Sequence, residues 1–224
     1  MTQLPRFRDR TEAGRRLAFE VGSRFGIPSA IAAVSPGGGL VALSVARAFA
    51  RPLVFAYCAP LHVPWDGGPA GEFGAMDADG HSLLDYASLA ATRIGQSEIE
   101  GARIRAAQDV RQFHESEWFT GLDAVMPATR LLLIDDGLDI GWRMEAAVAM
   151  ARRRRVSRVL VASPCASRGA AAWFQADADG FVALAVDDEP AADHYAAFEP
   201  VSLAFLGLRV PRIRRRRPLL AIAP

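Results

Sequence analysis

The sequence predicts an α/β fold: a doubly wound, mostly parallel sheet with helices on both faces. Short apolar runs that are typical of buried strands alternate along the chain with stretches of helical period. A glycine-rich turn joins the first strand to a helix, which is the arrangement of a right-handed βαβ unit. The 224 residues are 51% hydrophobic, which is enough to bury a large core.

In the first half of the chain, the sequence predicts an N-terminal helix followed by this βαβ unit. The helix has its N-cap at Asp9, an apolar face that includes Leu17 and Val21, and a stop at Gly26. The βαβ unit follows as a strand over 30–34, a helix over 40–50 and a strand over 52–58. The next segment is rich in Pro, Gly and Asp, which predicts a β-ribbon or a mobile loop. It spans 59–80, with short strands at 72–76 and 81–84.

The second half continues the alternation of helices and strands. The predicted elements are a helix over 97–119, a strand over 131–134, a helix from Trp142, a strand over 156–163, a helix over 168–175 and a strand over 181–186. Near the end, Tyr195 and Phe198 are expected to pack against the core. We therefore interpret residues 1–224 as one domain with a core over about 25–190, a small hood from the N- and C-terminal segments, and a basic tail over 210–224.

Two adjacent carboxylates, Asp135 and Asp136, follow the strand that ends at Ile134, and a short loop leads from them to Gly141. A helix begins directly after the loop, so its unpaired N–H groups can hold a phosphate. The two carboxylates can accept hydrogen bonds from the 2- and 3-hydroxyls of a ribose and can stabilise an electron-poor ribosyl carbon. The other interpretation is a polar loop that caps the next helix.

This segment resembles the phosphoribosyl-diphosphate loop of type I phosphoribosyltransferases, in which two acids precede a Thr-Gly pair and a second Thr. Asp135 and Asp136 match the acids, and Gly137 and Gly141 match as well. By this resemblance the catalytic candidates are Asp135 and Asp136, and the substrate-binding candidates of the loop are Gly137, Leu138, Asp139, Ile140, Gly141 and Arg143.

The loop departs from the family where the phosphate would be held. Ile140 replaces the first Thr and provides no hydroxyl, and Trp142 with Arg143 stand where a small residue and the second Thr are expected. Asp139 adds a negative charge that repels a phosphate. The guanidinium of Arg143 can offset this by gripping the phosphate, or it can point to solvent.

A second candidate anion site follows the first strand. It consists of Ser35, Pro36, Gly37, Gly38 and Gly39. The equivalent loop of the family carries a basic residue before two glycines and holds pyrophosphate with its N–H groups. That basic residue is absent here. The glycines permit a close backbone approach to an anion, and they equally permit a simple tight turn.

The resemblance implies an enzyme that transfers a phosphoribosyl group from phosphoribosyl diphosphate to a nitrogen acceptor and releases pyrophosphate. It also implies magnesium held by substrate oxygens rather than by a protein site, and a homo-oligomer, most simply a dimer. Because the threonines and the basic residue are missing, two alternatives stay open. One is a fold that has lost catalysis and serves as a ligand-binding or regulatory protein, and the other is an enzyme for a modified sugar-phosphate donor.

Composition argues against several other classes of protein. The net charge is +1 and the basic residues, all Arg, concentrate at 152–155 and 214–217, so no global field attracts nucleic acid. The sequence shows no secretory signal and no apolar stretch that spans a bilayer, so we expect a cytoplasmic protein without a membrane partner. Cys58 and Cys165 are expected as buried thiols, and the histidines have no metal-ligand spacing.

Overall fold

The structure is a computed structural model in which residues 6–63, 71–92, 94–116, 119–125 and 129–210 are described. Its strands are β1 (Ala30–Ala33), β2 (Leu53–Phe55), β3 (Cys58–Val63), β4 (Gly71–Asp77), β5 (Ser82–Leu84), β6 (Arg130–Ile134), β7 (Arg158–Ala166) and β8 (Gly180–Val186). Its helices are α1 (Arg10–Phe25), α2 (Pro36–Phe49), α3 (Tyr86–Ala91), α4 (Gln96–His114), α5 (Trp142–Arg153), α6 (Arg168–Asp177) and α7 (Leu203–Gly207), with 3-10 turns at Leu122–Ala124 and Ala191–His194. The predicted basic tail lies outside the described residues from position 211 onward, including its arginines at 214–217.

Five parallel strands form the central sheet, in the order β2-β1-β6-β7-β8. The order reverses between β1 and β6, where Ala33 lies opposite Ile134. Helices cover both faces of the sheet, because alternate residues of β1 belong to two different cores: Ile31 packs with α1 and α2, and Ala32 packs with α5 and α6. The predicted doubly wound, mostly parallel α/β fold is confirmed.

A second sheet, antiparallel and built from β3, β4 and β5, packs against α4 and α5. It confirms the predicted ribbon with its two short strands. The single strand predicted over 52–58 is wrong, because β2 ends at Phe55 and Cys58 begins β3. The backbone N–H of Cys58 still donates to the carbonyl of Val34 over 3.1 Å, and from there β3 pairs with β4. A continuous apolar run does not reveal such a change of partner.

The helix predicted over 40–50 begins four residues earlier, at Pro36. Ser35 is its N-cap, since the Ser35 hydroxyl accepts a hydrogen bond from the N–H of Gly38 over 2.9 Å. Proline at the first helical position has the backbone angle that a helix start needs. The three glycines are therefore the first turn of α2 and not a loop before it, which changes what their N–H groups can bind.

The remaining elements agree with the sequence more closely, except that the helix predicted over 97–119 ends at His114 and that α3 was not predicted. Helix α1 follows its N-cap Asp9 and stops at Gly26, and both cysteines are buried, free thiols. The division into core and hood stays a prediction, although the terminal segments do meet: the N–H of Phe7 donates to the carbonyl of His194 over 2.9 Å. Among the described residues, no helix has the length and apolar character needed to cross a membrane.

Candidate functional site

The two acids lie at the carboxyl end of β6, beside the carboxyl end of β1. This is the point at which the strand order reverses, where open α/β sheets bind their ligands. The Ser35 hydroxyl donates to Oδ1 of Asp135, and the same oxygen accepts the N–H of Asp136 over 3.0 Å. Only 1% of Asp135 is exposed. This carboxyl is therefore held in place by the protein on the side that faces α2.

Burial raises the pKa of Asp135 to about 7. The charge of Arg143 opposes this rise in pKa, and the neighbouring Asp136 carboxylate adds to it. A carboxyl group with such a pKa is partly protonated near neutral pH, so it can both donate and accept a hydrogen bond.

Replacing Asp135 with asparagine should therefore stabilise the protein more at pH 8 than at pH 5. An unfolded aspartate has a pKa near 3.9, so the folded state binds the extra proton, and the contribution of this proton to stability is lost as the pH rises through about 7. The asparagine side chain cannot ionise. We therefore expect the free energy of unfolding of the variant, relative to that of the wild type, to rise by on the order of 2 kcal/mol between pH 5 and pH 8. Urea unfolding at both pH values measures it. A difference in free energy of unfolding that does not change with pH would contradict a raised pKa for Asp135.

Asp136 is paired with an arginine from the other end of the chain. Its Oδ2 accepts from Nε of Arg10 over 2.7 Å, and both side chains are buried. The same guanidinium donates to the carbonyl of Glu199 over 2.9 Å and lies 3.9 Å from the ring centre of Phe198. The Tyr195 hydroxyl donates to the Asp136 carbonyl over 2.6 Å. Asp136 thus ties α1 and the C-terminal segment to the loop.

The glycines after Ser35 bring the first turn of α2 against both acids. A methyl group added at Gly37 would lie 2.1 Å from Oδ2 of Asp136, and one added at Gly38 would lie 2.7 Å from Oδ1 of Asp135. The N–H groups of Gly38 and Gly39 are used within the helix, by the side chain and the carbonyl of Ser35. The predicted anion site at this helix end therefore faces carboxylates of the protein itself.

A cleft of about 380 Å³ opens on the other side of Asp135, between β4 and the start of α5. Most of its lining is the loop that the sequence singled out. The lining residues are Gly71, Glu72, Asp135, Gly137, Leu138, Asp139, Ile140, Gly141, Trp142, Arg143 and Met144. Asp136 and the segment from Ser35 to Gly39 are not among them, so the structure separates the two predicted anion sites.

Six consecutive backbone N–H groups of this lining, from Asp139 to Met144, donate to no acceptor among the residues that the structure describes. They lie at the start of α5, whose N-cap Gly141 provides no side chain to cap them. Gly141 has φ +98°, the left-handed conformation that favours glycine, and an added methyl group would lie 3.0 Å from the ring of Phe174. Unpaired N–H groups at a helix start form an anion site.

Arg143 supplies the positive charge of the cleft. Its side chain makes no hydrogen bond or ion pair within 4.0 Å with any described residue, although the cleft holds three acids. Asp135, and to a lesser extent Glu72, raise the pKa of Arg143. Asp139 is directed elsewhere, because its Oδ1 accepts the N–H of Ala191 over 2.9 Å. Ile140 is 55% exposed, and its apolar side chain offers a phosphate no hydrogen-bond donor.

The sequence did not identify three residues that shape the site. Glu72 enters the cleft from β4, and burial raises its pKa. Arg10 and Tyr195 fix Asp136 from the two ends of the chain. The sequence could have indicated that Arg10 has an acidic partner, because a positive charge at the first position of a helix is unfavourable next to the positive end of the helix dipole.

Within the described part of the chain, two groups of side chains outside the cleft could hold a metal ion. Their ligand atoms lie within 4.8 Å of one another. The groups are Asp77, Asp79 and His81, and Asp187, Glu189 and His194. Both already contain ion pairs, of Asp77 with Arg153 and of Asp187 with Arg6 over 2.9 Å.

Comparison with known proteins gives relatives in sequence and in structure. No family model matches the sequence. Two curated proteins, from the Mycobacterium tuberculosis strains CDC 1551 and H37Rv, are 28% identical over 180 residues, and each is named a putative phosphoribosyl transferase. The match covers 80% of this chain and 40% of those proteins, so the chain corresponds to about two fifths of their length.

Two solved structures share the fold. The protein TT1426 from Thermus thermophilus is 28% identical with a TM-score of 0.68, and the match covers 92% of this chain and 97% of that one. A hypothetical protein from Neisseria gonorrhoeae, solved with bound ppGpp, is 15% identical with a TM-score of 0.51, over 84% and 86% of the two chains. These comparisons agree with the resemblance carried by Asp135 and Asp136, because the chain is similar in sequence to proteins named putative phosphoribosyl transferases and shares its fold with TT1426.

Proposed function

We propose that the cleft at the start of α5 binds the 5-phosphate of a ribose-phosphate ligand. The observation that carries this proposal is the set of six N–H groups that have no acceptor among the described residues, beside Arg143, whose guanidinium has no hydrogen-bond or ion-pair partner within that part of the chain. Phosphate oxygens accept hydrogen bonds from both, and the helix dipole favours the negative charge. The N–H groups and Arg143 take over the task of the hydroxyls that Ile140 and its neighbours lack.

The reaction proposed for this site is transfer of a phosphoribosyl group from phosphoribosyl diphosphate to a nitrogen acceptor, with release of pyrophosphate. The loop would fix the 5-phosphate, so that the ribosyl carbon is oriented beside Asp135, and the negative field of the acids would stabilise positive charge on that carbon. No side-chain nucleophile is required. The likeness of the chain to proteins named as phosphoribosyl transferases supports this reaction.

Magnesium would enter such a reaction with the substrate, on diphosphate and ribose oxygens. The acids of the loop do not fit a further, protein-held ion. Asp135 accepts hydrogen bonds from Ser35 and Asp136, and Asp136 is paired with Arg10. We therefore assign no step to the metal.

The second candidate is ligand binding without transfer. It is favoured by the same contacts of the two acids, because Ser35 and the N–H of Asp136 already occupy Oδ1 of Asp135, and Arg10 occupies Oδ2 of Asp136. Under either candidate function, we propose that the protein is cytoplasmic, that it recognises a small molecule and that it forms homo-oligomers.

Calorimetry with ribose 5-phosphate tests the phosphate site. Arg143→Met should weaken binding by about 10- to 150-fold, because one charge-assisted hydrogen bond contributes about 1.5–3 kcal/mol and every 1.4 kcal/mol corresponds to tenfold in affinity. Arg47→Met is the matched control, since Arg47 is exposed on α2, away from the cleft, and should change binding less than twofold. Equal affinities of the two variants would show that the cleft is not the phosphate site.

Turnover separates the two candidates. The wild-type protein is incubated with phosphoribosyl diphosphate, magnesium and a panel of nitrogenous bases, and release of pyrophosphate is followed. Base-dependent release supports the transferase, whereas binding without release over the whole panel supports the binding protein.

A further inference from the structure

Strand β5 (Ser82–Leu84) is an edge strand of the second sheet, because among the described strands β4 alone pairs with it. Where this pairing begins, the N–H of Asp77 donates to the carbonyl of His81 over 2.9 Å. Hydrogen-bonded and non-hydrogen-bonded pairs alternate along an antiparallel ladder, so the backbone groups of Ser82 and Leu84 point away from β4. These N–H and C=O groups have no partner among the described residues. They form an unpaired edge, which we call the β5 edge.

The β5 edge is complementary to itself in hydrogen bonding and in charge. When two copies pair antiparallel with Leu83 at the centre, Ser82 of each copy lies opposite Leu84 of the other. The outward groups then make four hydrogen bonds. The same register places the exposed imidazole of His81 opposite the carboxylate of Asp85 in the second copy. Opposite charges that face each other across two strands stabilise the pairing, and this contact occurs twice.

The surfaces on both sides of the β5 edge add the contact area that three residues of strand lack. A hollow of about 310 Å³ lies on the side of α5, and one of about 470 Å³ lies on the side of α4. Ser82 lines both hollows. Tyr86 lines the first and is 75% exposed, and Ile104 lines the second and is 53% exposed. Exposed aromatic and apolar side chains beside an unpaired strand are typical of a protein interface.

From these observations we propose that two copies of this chain pair through the β5 edge, antiparallel and centred on Leu83, and join their second sheets into one six-stranded sheet. The occupant is a second copy because the same short segment supplies both the outward hydrogen-bonding groups and the opposite charges of His81 and Asp85. This inference rests on the proposed homo-oligomer and names its interface. Strand β4 pairs with β5 and carries Glu72 into the cleft, so the joined sheet also supports one wall of the cleft.

Disulfide cross-linking tests both the surface and the register. In the proposed pairing the two Leu83 residues form a non-hydrogen-bonded pair with Cα atoms about 4.5 Å apart, a distance that a disulfide can span. Leu83→Cys should therefore give a covalent dimer on oxidation with copper phenanthroline. Leu84→Cys is the matched control, because its two Cα atoms would lie roughly 8 Å apart, too far for a disulfide. Both native cysteines are buried and should not interfere.

Analytical ultracentrifugation measures the association itself. Ser82→Pro removes one outward N–H donor from each copy, which is two of the four hydrogen bonds, and should raise the dimer dissociation constant at least tenfold. An edge strand accepts proline where the N–H points away from the sheet. Tyr86→Lys places a charge beside the edge and should raise the constant at least threefold. Phe19→Lys is its matched control, since Phe19 is 79% exposed on α1, which packs against α2, β7 and β8, and should change the constant less than twofold.

The outcomes separate this inference from the homo-oligomer on which it rests. A wild-type protein that stays monomeric at submillimolar concentration overturns both. A dimer that persists in Ser82→Pro and Tyr86→Lys, and that Leu83→Cys does not cross-link, overturns the β5 edge and leaves a homo-oligomer formed by another surface. Equal cross-linking of Leu83→Cys and Leu84→Cys overturns the register. If Ser82→Pro fails to fold, cross-linking and Tyr86→Lys decide. Binding of ribose 5-phosphate is measured separately with Arg143→Met, so its failure leaves this inference standing.

Discussion

Replacing Arg10 with methionine is expected to lower the free energy of unfolding by about 3–5 kcal/mol, the largest loss that we predict for a single side chain. Arg10 is 7% exposed and its Nε lies 2.7 Å from Oδ2 of Asp136. Methionine fills similar volume but leaves the Asp136 carboxylate buried without its cation. The Glu199 carbonyl also loses its donor. Urea unfolding of the purified variant measures the loss.

Two further variants show whether the loss arises from the ion pair. In the double variant Arg10→Met/Asp136→Asn the uncompensated charge is absent, so we expect at least half of the lost stability to return. Arg24→Met breaks an exposed pair with Glu20 in the same helix and should cost at most about 0.5 kcal/mol. A loss in the double variant equal to that of Arg10→Met alone would show that packing, and not charge, is responsible.

The fold was largely predictable because strand and helix periods are local properties of the sequence. The four apolar residues before Asp135 form the end of a central strand, and the helix beyond it begins at Trp142, directly after Gly141, as the pattern indicates. The strand over 52–58 was wrong because the chain changes its pairing partner after Phe55, and a partner is not a local property. The start of α2 was missed because three glycines disfavour a helix unless tertiary contacts require them.

The residues of the candidate site could likewise be predicted only where they are close together in the sequence. The residues from Gly137 to Arg143 that line the cleft are contiguous in sequence, so a motif could find them. The partner of Asp136 could not be found in this way, since Arg10 lies 126 positions away. Glu72 reaches the cleft through the second sheet. Contacts of this kind follow from topology, so the pairing of the two acids with Ser35 and Arg10 could not be predicted from the motif.

Replacing Gly38 with alanine is expected to destabilise the protein by about 3 kcal/mol, because the new methyl group would overpack the junction of α2 with the acidic loop. It would lie 2.7 Å from Oδ1 of Asp135 and 2.9 Å from both the Cα of Asp135 and the carbonyl oxygen of Ile134. Two of these three atoms belong to the backbone of the central strand and its first loop residue, and they cannot move without disturbing the sheet. Thermal and urea unfolding measure the change.

Gly101→Ala is the matched control within the same chain. Gly101 lies inside α4, and an added methyl group would approach only the guanidinium of Arg105, at 3.4 Å. There the usual preference of a helix for alanine applies, so this variant should gain about 0.5–1 kcal/mol. Opposite signs for the two substitutions would show that glycine is required at Gly38 by contact with Asp135. A gain in both would mean that α2 stands off from the acids and that contact with Asp135 is not what requires glycine at Gly38.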